Sequence, residues 1–113
     1  MLNKVERLPR RHLIYLVRIE SPEGDHFTGR LVDISEKGMK IVSKEKVFID
    51  STYLFEIILP GTIDDCKEIK CTGKTIWYKH HQNPEKFSAG FEIEGVDRVN
   101  KALLKKMVKE FVA

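Results

Sequence analysis

The 113-residue sequence lacks any long apolar run. Leu13–Val17 is broken by Arg18, and Ile57–Leu59 is stopped by Pro60. Neither approaches the roughly 20 apolar residues of a membrane-spanning helix. The first eleven residues are charged and contain Pro9, which argues against a secretory signal peptide; the expected location is cytoplasmic, without a membrane partner. Cysteine is scarce. Cys66 and Cys71 are the only two, five residues apart in a segment that reads as a strand, and an odd spacing points them to opposite faces. They are not placed to bridge within that strand, and no CxxC pair exists for zinc. Both read as free thiols in a reducing compartment. A glycine-rich phosphate loop and a GxSxG elbow are also missing, so neither of those chemistries is expected.

What remains is a chain of 13.1 kDa with 42% hydrophobic and 33% charged residues, suited to one soluble globular domain. Its net charge of +3 is unevenly placed. Lys4, Arg7, Arg10 and Arg11 against Glu6 give residues 1–12 a charge equal to that whole excess. Lys101, Lys105, Lys106 and Lys109 against Glu110 give the last stretch the same sign, so the middle of the chain is negative. A nonspecific nucleic-acid binder spreads cations along a face or groove. Excess at two chain ends fits a small anionic ligand better, and it also fits a plain solvated tail. No DNA or RNA partner is expected.

Leu13–Glu20 and Phe27–Ile34 are rich in strand-favouring residues and separated by Ser21-Pro22-Glu23-Gly24-Asp25. Met39–Ser43 alternates and should pair back as a hairpin; Thr52–Leu59 is strongly strand-like and should end at Pro60-Gly61. Lys67–Tyr78 and Lys86–Glu94 alternate on either side of a turn at His80–Pro84. The period then changes. Val99, Leu103, Met107 and Phe111 recur every fourth residue beside Leu104 and Val108, with lysines opposite and Asp97 as N-cap. The expected fold is all-β in the main, a six-stranded antiparallel barrel with a C-terminal helix. The barrel would take residues 13–95 and the helix 97–112, after a flexible basic arm at 1–12.

Two clusters offer polar groups converging on a point. In Arg7-Leu8-Pro9-Arg10-Arg11, Arg7 and Arg11 lie four apart and hence on one side; Pro9 favours an extended or turned arm. Two guanidinium forks can bind phosphate or the O6/N7 edge of guanine in bidentate fashion, a geometry that lysine lacks. In Asp33-Ile34-Ser35-Glu36-Lys37-Gly38, Asp33 and Ser35 should share one face at a strand end while Ile34 enters the core. A carboxylate accepts from guanine's N–H groups and a hydroxyl adds a donor or acceptor. Gly38 would permit a positive φ and keep the face clear. The same three residues also make an ordinary Asx/Ser turn with a hairpin glycine.

The order RxxxR, strand, DxSxxG, alternating strands and terminal helix resembles the PilZ domain family over essentially the whole chain, from Glu6 to the helix. The resemblance implies a barrel with a C-terminal helix, no enzymatic activity, no cofactor, and cyclic di-GMP as ligand. It further implies that Arg7 and Arg11 grip guanine and phosphate while Asp33, Ser35 and Gly38 form the opposing wall. The arm would close over the nucleotide and present a surface to an unidentified effector protein. The arm has a second possible register, because Glu6 and Arg10 share the spacing of Arg7 and Arg11. In that register Arg10 takes the second position and a glutamate faces phosphate, which suits a PilZ-fold interaction module that has lost the nucleotide.

Other residues carry plainer readings. Trp77 is expected to pack in the core or on the barrel surface, although an exposed aromatic there could stack on a base. A single-stranded RNA barrel would want several aromatics aligned, and Tyr15, Tyr53, Trp77 and Tyr78 are not. His80-His81 have only His12 and His26 as companions, too few and too scattered for a metal. Asp64-Asp65 read as a solvated loop, and the helix lysines as a solvated face.

Overall fold

The computed structural model describes residues 15–112, with side chains as far as Lys109. Six strands, β1 (Tyr15–Glu20), β2 (His26–Ile34), β3 (Gly38–Ser43), β4 (Thr52–Ile63), β5 (Cys66–Gln82) and β6 (Glu85–Gly95), precede one helix, α1 (Arg98–Val112). All neighbours are antiparallel, and the barrel closes in the order β1-β2-β3-β6-β5-β4. Closure leaves the expected all-β barrel with a C-terminal helix. Alternate residues turn inward, among them Val17, Ile19, Leu31, Ile41, Phe55, Ile57, Ile69 and Phe91, as a sheet with one buried face requires. Phe55 and Phe91 meet edge to face at 4.9 Å, and the hydroxyl of Tyr53 accepts from the Phe48 N–H at 3.0 Å, so its polar tip is satisfied.

Helix α1 covers the β4–β5 side. Leu103, Leu104 and Met107 are buried and Val108 partly so. Val99, expected in the same stripe, is 64% exposed, although its neighbour Asn100 already touches the barrel. Phe111, also assigned to that stripe, has its side chain outside the described part. Asp97 does cap the helix, its carboxylate accepting from the Asn100 N–H at 2.8 Å. That bond, with a second from the Asn100 side chain, holds the carboxyl below its ordinary pKa. Asn100 in turn accepts from the Lys70 N–H on β5 at 2.8 Å, and Lys106 reaches Asp64 at the β4–β5 turn.

Two element ends differ from the sequence expectation. Strand β4 runs past Pro60-Gly61 to Ile63, because its ladder with β5 jumps from Ile58↔Glu68 to Ile63↔Cys66. Pro60 falls inside that irregularity, where no ladder bond is asked of it. Asp64 and Asp65 are then a tight, solvent-exposed turn with φ of 51° and 65°, a conformation that Asp tolerates. Strand β5 likewise continues through His80-His81 to Gln82, leaving only Asn83-Pro84 as the turn. His80 stacks on Phe87 at 4.5 Å and meets Glu85 at 3.0 Å, while His81 meets Ser88 at 3.0 Å. These contacts explain why residues that read as a turn hold a strand.

Both cysteines are free, and Cys71 is buried. Burial pushes its thiol up to about 11, so it is an inert core residue.

Candidate ligand-binding site

Strict alternation from Leu31 would send Asp33 into the barrel. The β2–β3 register shifts between Leu31 and Asp33, and Val32 and Asp33 are both exposed while Leu31 and Ile34 are both buried. This β-bulge turns the carboxylate outward, a use to which bulges are put beside binding sites. Strand β5 repeats the device. Thr75 is buried against Phe91, the register shifts between Thr75 and Trp77, and Ile76 and Trp77 both emerge.

The two bulges face each other across two strands. Asp33 is opposite Lys40, Lys40 opposite Gly90, and Gly90 opposite Trp77, which makes one row across β2, β3, β6 and β5 on the outer surface. Trp77 lies over Gly90, where any Cβ would collide with the indole ring. Lys40 Nζ stands 5.9 Å from the indole centroid, within cation–π range. Together with Ser35, Gly38 and Ile76 these residues line an open groove of about 320 Å³. Trp77 is 41% exposed, so barrel-surface packing, not the core, describes it.

The three motif residues on the turn are thus brought together. The Asp33 carboxylate accepts from the Ile34 N–H at 2.9 Å. Ser35 Oγ accepts from the N–H of Gly38 at 3.2 Å and of Lys37 at 3.3 Å, and the Ser35 N–H donates to the Gly38 carbonyl at 2.8 Å. The Ser turn anticipated as the plain reading is present and serves as the site's scaffold. Gly38 corrects the sequence expectation: positive φ is not its role, since among the described glycines only Gly24 has one. A Cβ at Gly38 would stand 2.9 Å from the Phe91 carbonyl oxygen, so glycine is there to let β3 approach β6. The Lys37 carbonyl, accepting from the Ile93 N–H at 2.8 Å, fixes the same turn to β6.

Arg7, Arg10 and Arg11 lie outside the described residues. The point of entry is defined, however: Tyr15 pairs with Leu31, two residues before Asp33, so the chain joins β1 beside the Asp33 end of β2. Sequence reasoning missed Lys40, Ile76 and Gly90. The available signal was Trp77 and Gly90 on consecutive strands, since an aromatic often covers a glycine across a ladder.

A larger groove of about 520 Å³ lies elsewhere on the barrel, lined in part by Arg18, Glu20, His26, Leu54, Glu56 and Lys70. Its charges engage one another, Arg18 with Glu56 at 3.5 Å and Lys70 with Glu56 at 3.7 Å, and it contains no motif residue. Among the described residues no group of three His, Cys, Asp or Glu is placed to hold a metal, and no helix is long and apolar enough to cross a membrane.

A model of the PilZ domain family matches residues 6–110. The chain belongs to the PilZ family. Solved structures agree on the fold. The PilZ domain of YcgR from Escherichia coli, solved with c-di-GMP, superposes with a TM-score of 0.69 at 13% identity, covering 88% of this chain and 82% of that one. MrkH of K. pneumonia gives 0.70 at 12%, covering 91% and 46%. The Bacillus subtilis inhibitor of motility MotI/DgrA gives 0.67 at 16%, covering 86% and 46%. This PilZ chain spans less than half the length of the last two. Among curated proteins the sequence has no match. Asp33, Ser35 and Gly38, the DxSxxG motif of this sequence, form one end of the groove.

Proposed function

We propose that this PilZ domain, taken as residues 1–113, is a receptor for cyclic di-GMP and has no catalytic role. The observation that carries the reading is the placement of Asp33, Ser35 and Gly38 along one groove, next to the point where the segment bearing Arg7 and Arg11 joins β1. Asp33 accepts from the N–H groups of a guanine; Arg7 and Arg11 take its O6/N7 edge and the phosphates. Lys40 adds a positive charge, and Trp77 offers a π-face at the far wall. Closure of residues 1–12 over the nucleotide changes the surface offered to an effector protein in the cytoplasm.

Calorimetric titration tests this. Cyclic di-GMP is expected to bind and to raise the melting temperature, since a ligand selective for the folded state stabilises it. GTP lacks the cyclic two-guanine shape and cyclic di-AMP presents an amino group where the arginines need O6, so both should bind poorly. No heat with cyclic di-GMP at about 100 µM, where micromolar binding is evident, would instead favour a protein-interaction module. The Glu6/Arg10 spacing supports that second reading, because a glutamate in place of the first arginine repels phosphate.

A further inference from the structure

Strand β5 has two partners for only part of its length. Its ladder with β4 ends at Thr52↔Lys74, and Thr75 is still served by the Asp50 N–H at 2.9 Å and the Ser51 carbonyl at 3.0 Å. From Ile76 to Gln82 no described strand pairs with β5 on that side, while β6 holds the other side from Trp77↔Gly90 to Gln82↔Glu85. Among the described residues this leaves a seven-residue edge, paired with β6 on its other side from Trp77 onward. Ile76, Trp77 and Tyr78 are all exposed along it, Ile76 at 55%.

The hairpin is also charged on one face. Trp77, Lys79 and His81 alternate outward on β5, and Lys86 is paired with His81. Partial burial and the surrounding Lys79, Lys86, His80 and Lys40 hold the His81 imidazole below its ordinary pKa. The only carboxylate between Ile76 and Ser88 is Glu85, and it is engaged with His80.

We propose that the β5 edge at Ile76–Gln82, flanked by Lys79 and Lys86, docks an extended acidic segment of a partner protein as an added strand. An open edge presents N–H and C=O groups at strand spacing, which a peptide backbone matches and a nucleic acid does not. The charge selects the occupant. A second copy would bring Lys79 of both chains together, the usual guard on an open edge, and residues 1–12 carry the same positive sign. Acidic side chains at alternate positions satisfy the face instead, with Ile76 and Tyr78 supplying apolar contact. The proposal does not require the groove to hold a nucleotide, although Trp77 borders both surfaces.

The test uses the full 113-residue chain without nucleotide at low salt, and a capped heptapeptide of alternating glutamate and valine as probe. Amide exchange within Ile76–Gln82 should slow several-fold on adding the peptide, with the β1 and β4 amides unchanged. The double variant Lys79→Glu, Lys86→Glu should weaken the peptide at least about fivefold, since two exposed charge pairs become repulsive, at an unchanged melting temperature. The same peptide N-methylated throughout keeps its charge but cannot pair, and should give no protection in the unaltered protein. Absence of slowing at 76–82 with about 1 mM peptide, a concentration that saturates even a weak site, would overturn the proposal. Equal protection by the methylated peptide or by an oligo-dT strand would also overturn it, leaving a general polyanion surface.

Discussion

The two sides of the barrel obey different rules. In β1, and in β4 as far as Leu59, every second residue is buried: Tyr15, Val17 and Ile19, then Tyr53, Phe55, Ile57 and Leu59. Outside, the same region carries the ladder Arg18–Glu56–Lys70–Glu68 at 3.5–3.7 Å, exposed pairs that add little stability. In β2 and β5 the alternation is broken once each, at Val32 and at Ile76, and both breaks deliver a side chain to the groove. A strand that serves only the core keeps its period. A strand that must present a polar or aromatic group gives up one ladder position to do so.

One-residue deletions break this comparison most directly. Removing Glu56 from β4 flips the face of every residue beyond it, and the chain should fail to fold, with loss of the near-ultraviolet dichroism. Removing Val32 leaves Leu31 and Ile34 in correct alternation, so the protein should remain folded. Its affinity for cyclic di-GMP should fall, because the bend that aims Asp33 is gone. A Val32 deletion that binds normally would show that the bulge has no role in the site.

Substitutions within the groove come next. Asp33→Ala should lower cyclic di-GMP affinity at least about tenfold, since it removes charge-assisted hydrogen bonds of about 1.5–3 kcal/mol. Arg7→Ala and Arg11→Ala should match it in calorimetry. Arg10→Ala should cost less, with an effect that fades as salt is raised. A reversed order, with Arg10 dominant and Arg7 silent, would establish the other register.

Gly90→Ala should displace Trp77 from the groove wall. Overpacking of this kind costs about 1–3 kcal/mol, and the indole fluorescence should shift to the red as the ring is lifted into water. The smallest effect concerns the helix cap. The Asp97 carboxyl is held below its ordinary value of 3.8, so its contribution is complete above that pH and is lost as pH falls through the lower folded value. Asp97→Ala should therefore lower the melting temperature by a few degrees at pH 7, and the gap between the two proteins should close in strong acid.

The fold was largely legible in the sequence because a half-buried strand announces itself by period two and α1 by its change of period. Asp97, Leu103, Leu104 and Met107 were readable for that reason. The extension of β4 past Pro60 was not, since proline ends a regular ladder but not an irregular one. Nor was β5 through His80-His81, where stacking on Phe87 outweighs local turn preference. Within the groove, Asp33, Ser35 and Gly38 are close in sequence and form a visible pattern. Lys40, Trp77 and Gly90 come from three strands and meet only through lateral register, which composition does not encode. Gly38 was legible as a requirement for glycine but not in its cause, because Phe91 lies 53 residues further along the chain.

The bond from the Lys70 N–H to Asn100 has a consequence for solubility. The first half of β5 has β4 on one side and α1 on the other, so the helix is what stands between that backbone and other molecules. A fragment cut before Arg98 would uncover both the strand and the apolar seat of Leu103, Leu104 and Met107. Such a fragment has the makings of a fibril seed: a ready backbone template beside a hydrophobic surface. Proteolytic loss of one terminal helix would then be felt less as weaker ligand binding than as precipitation.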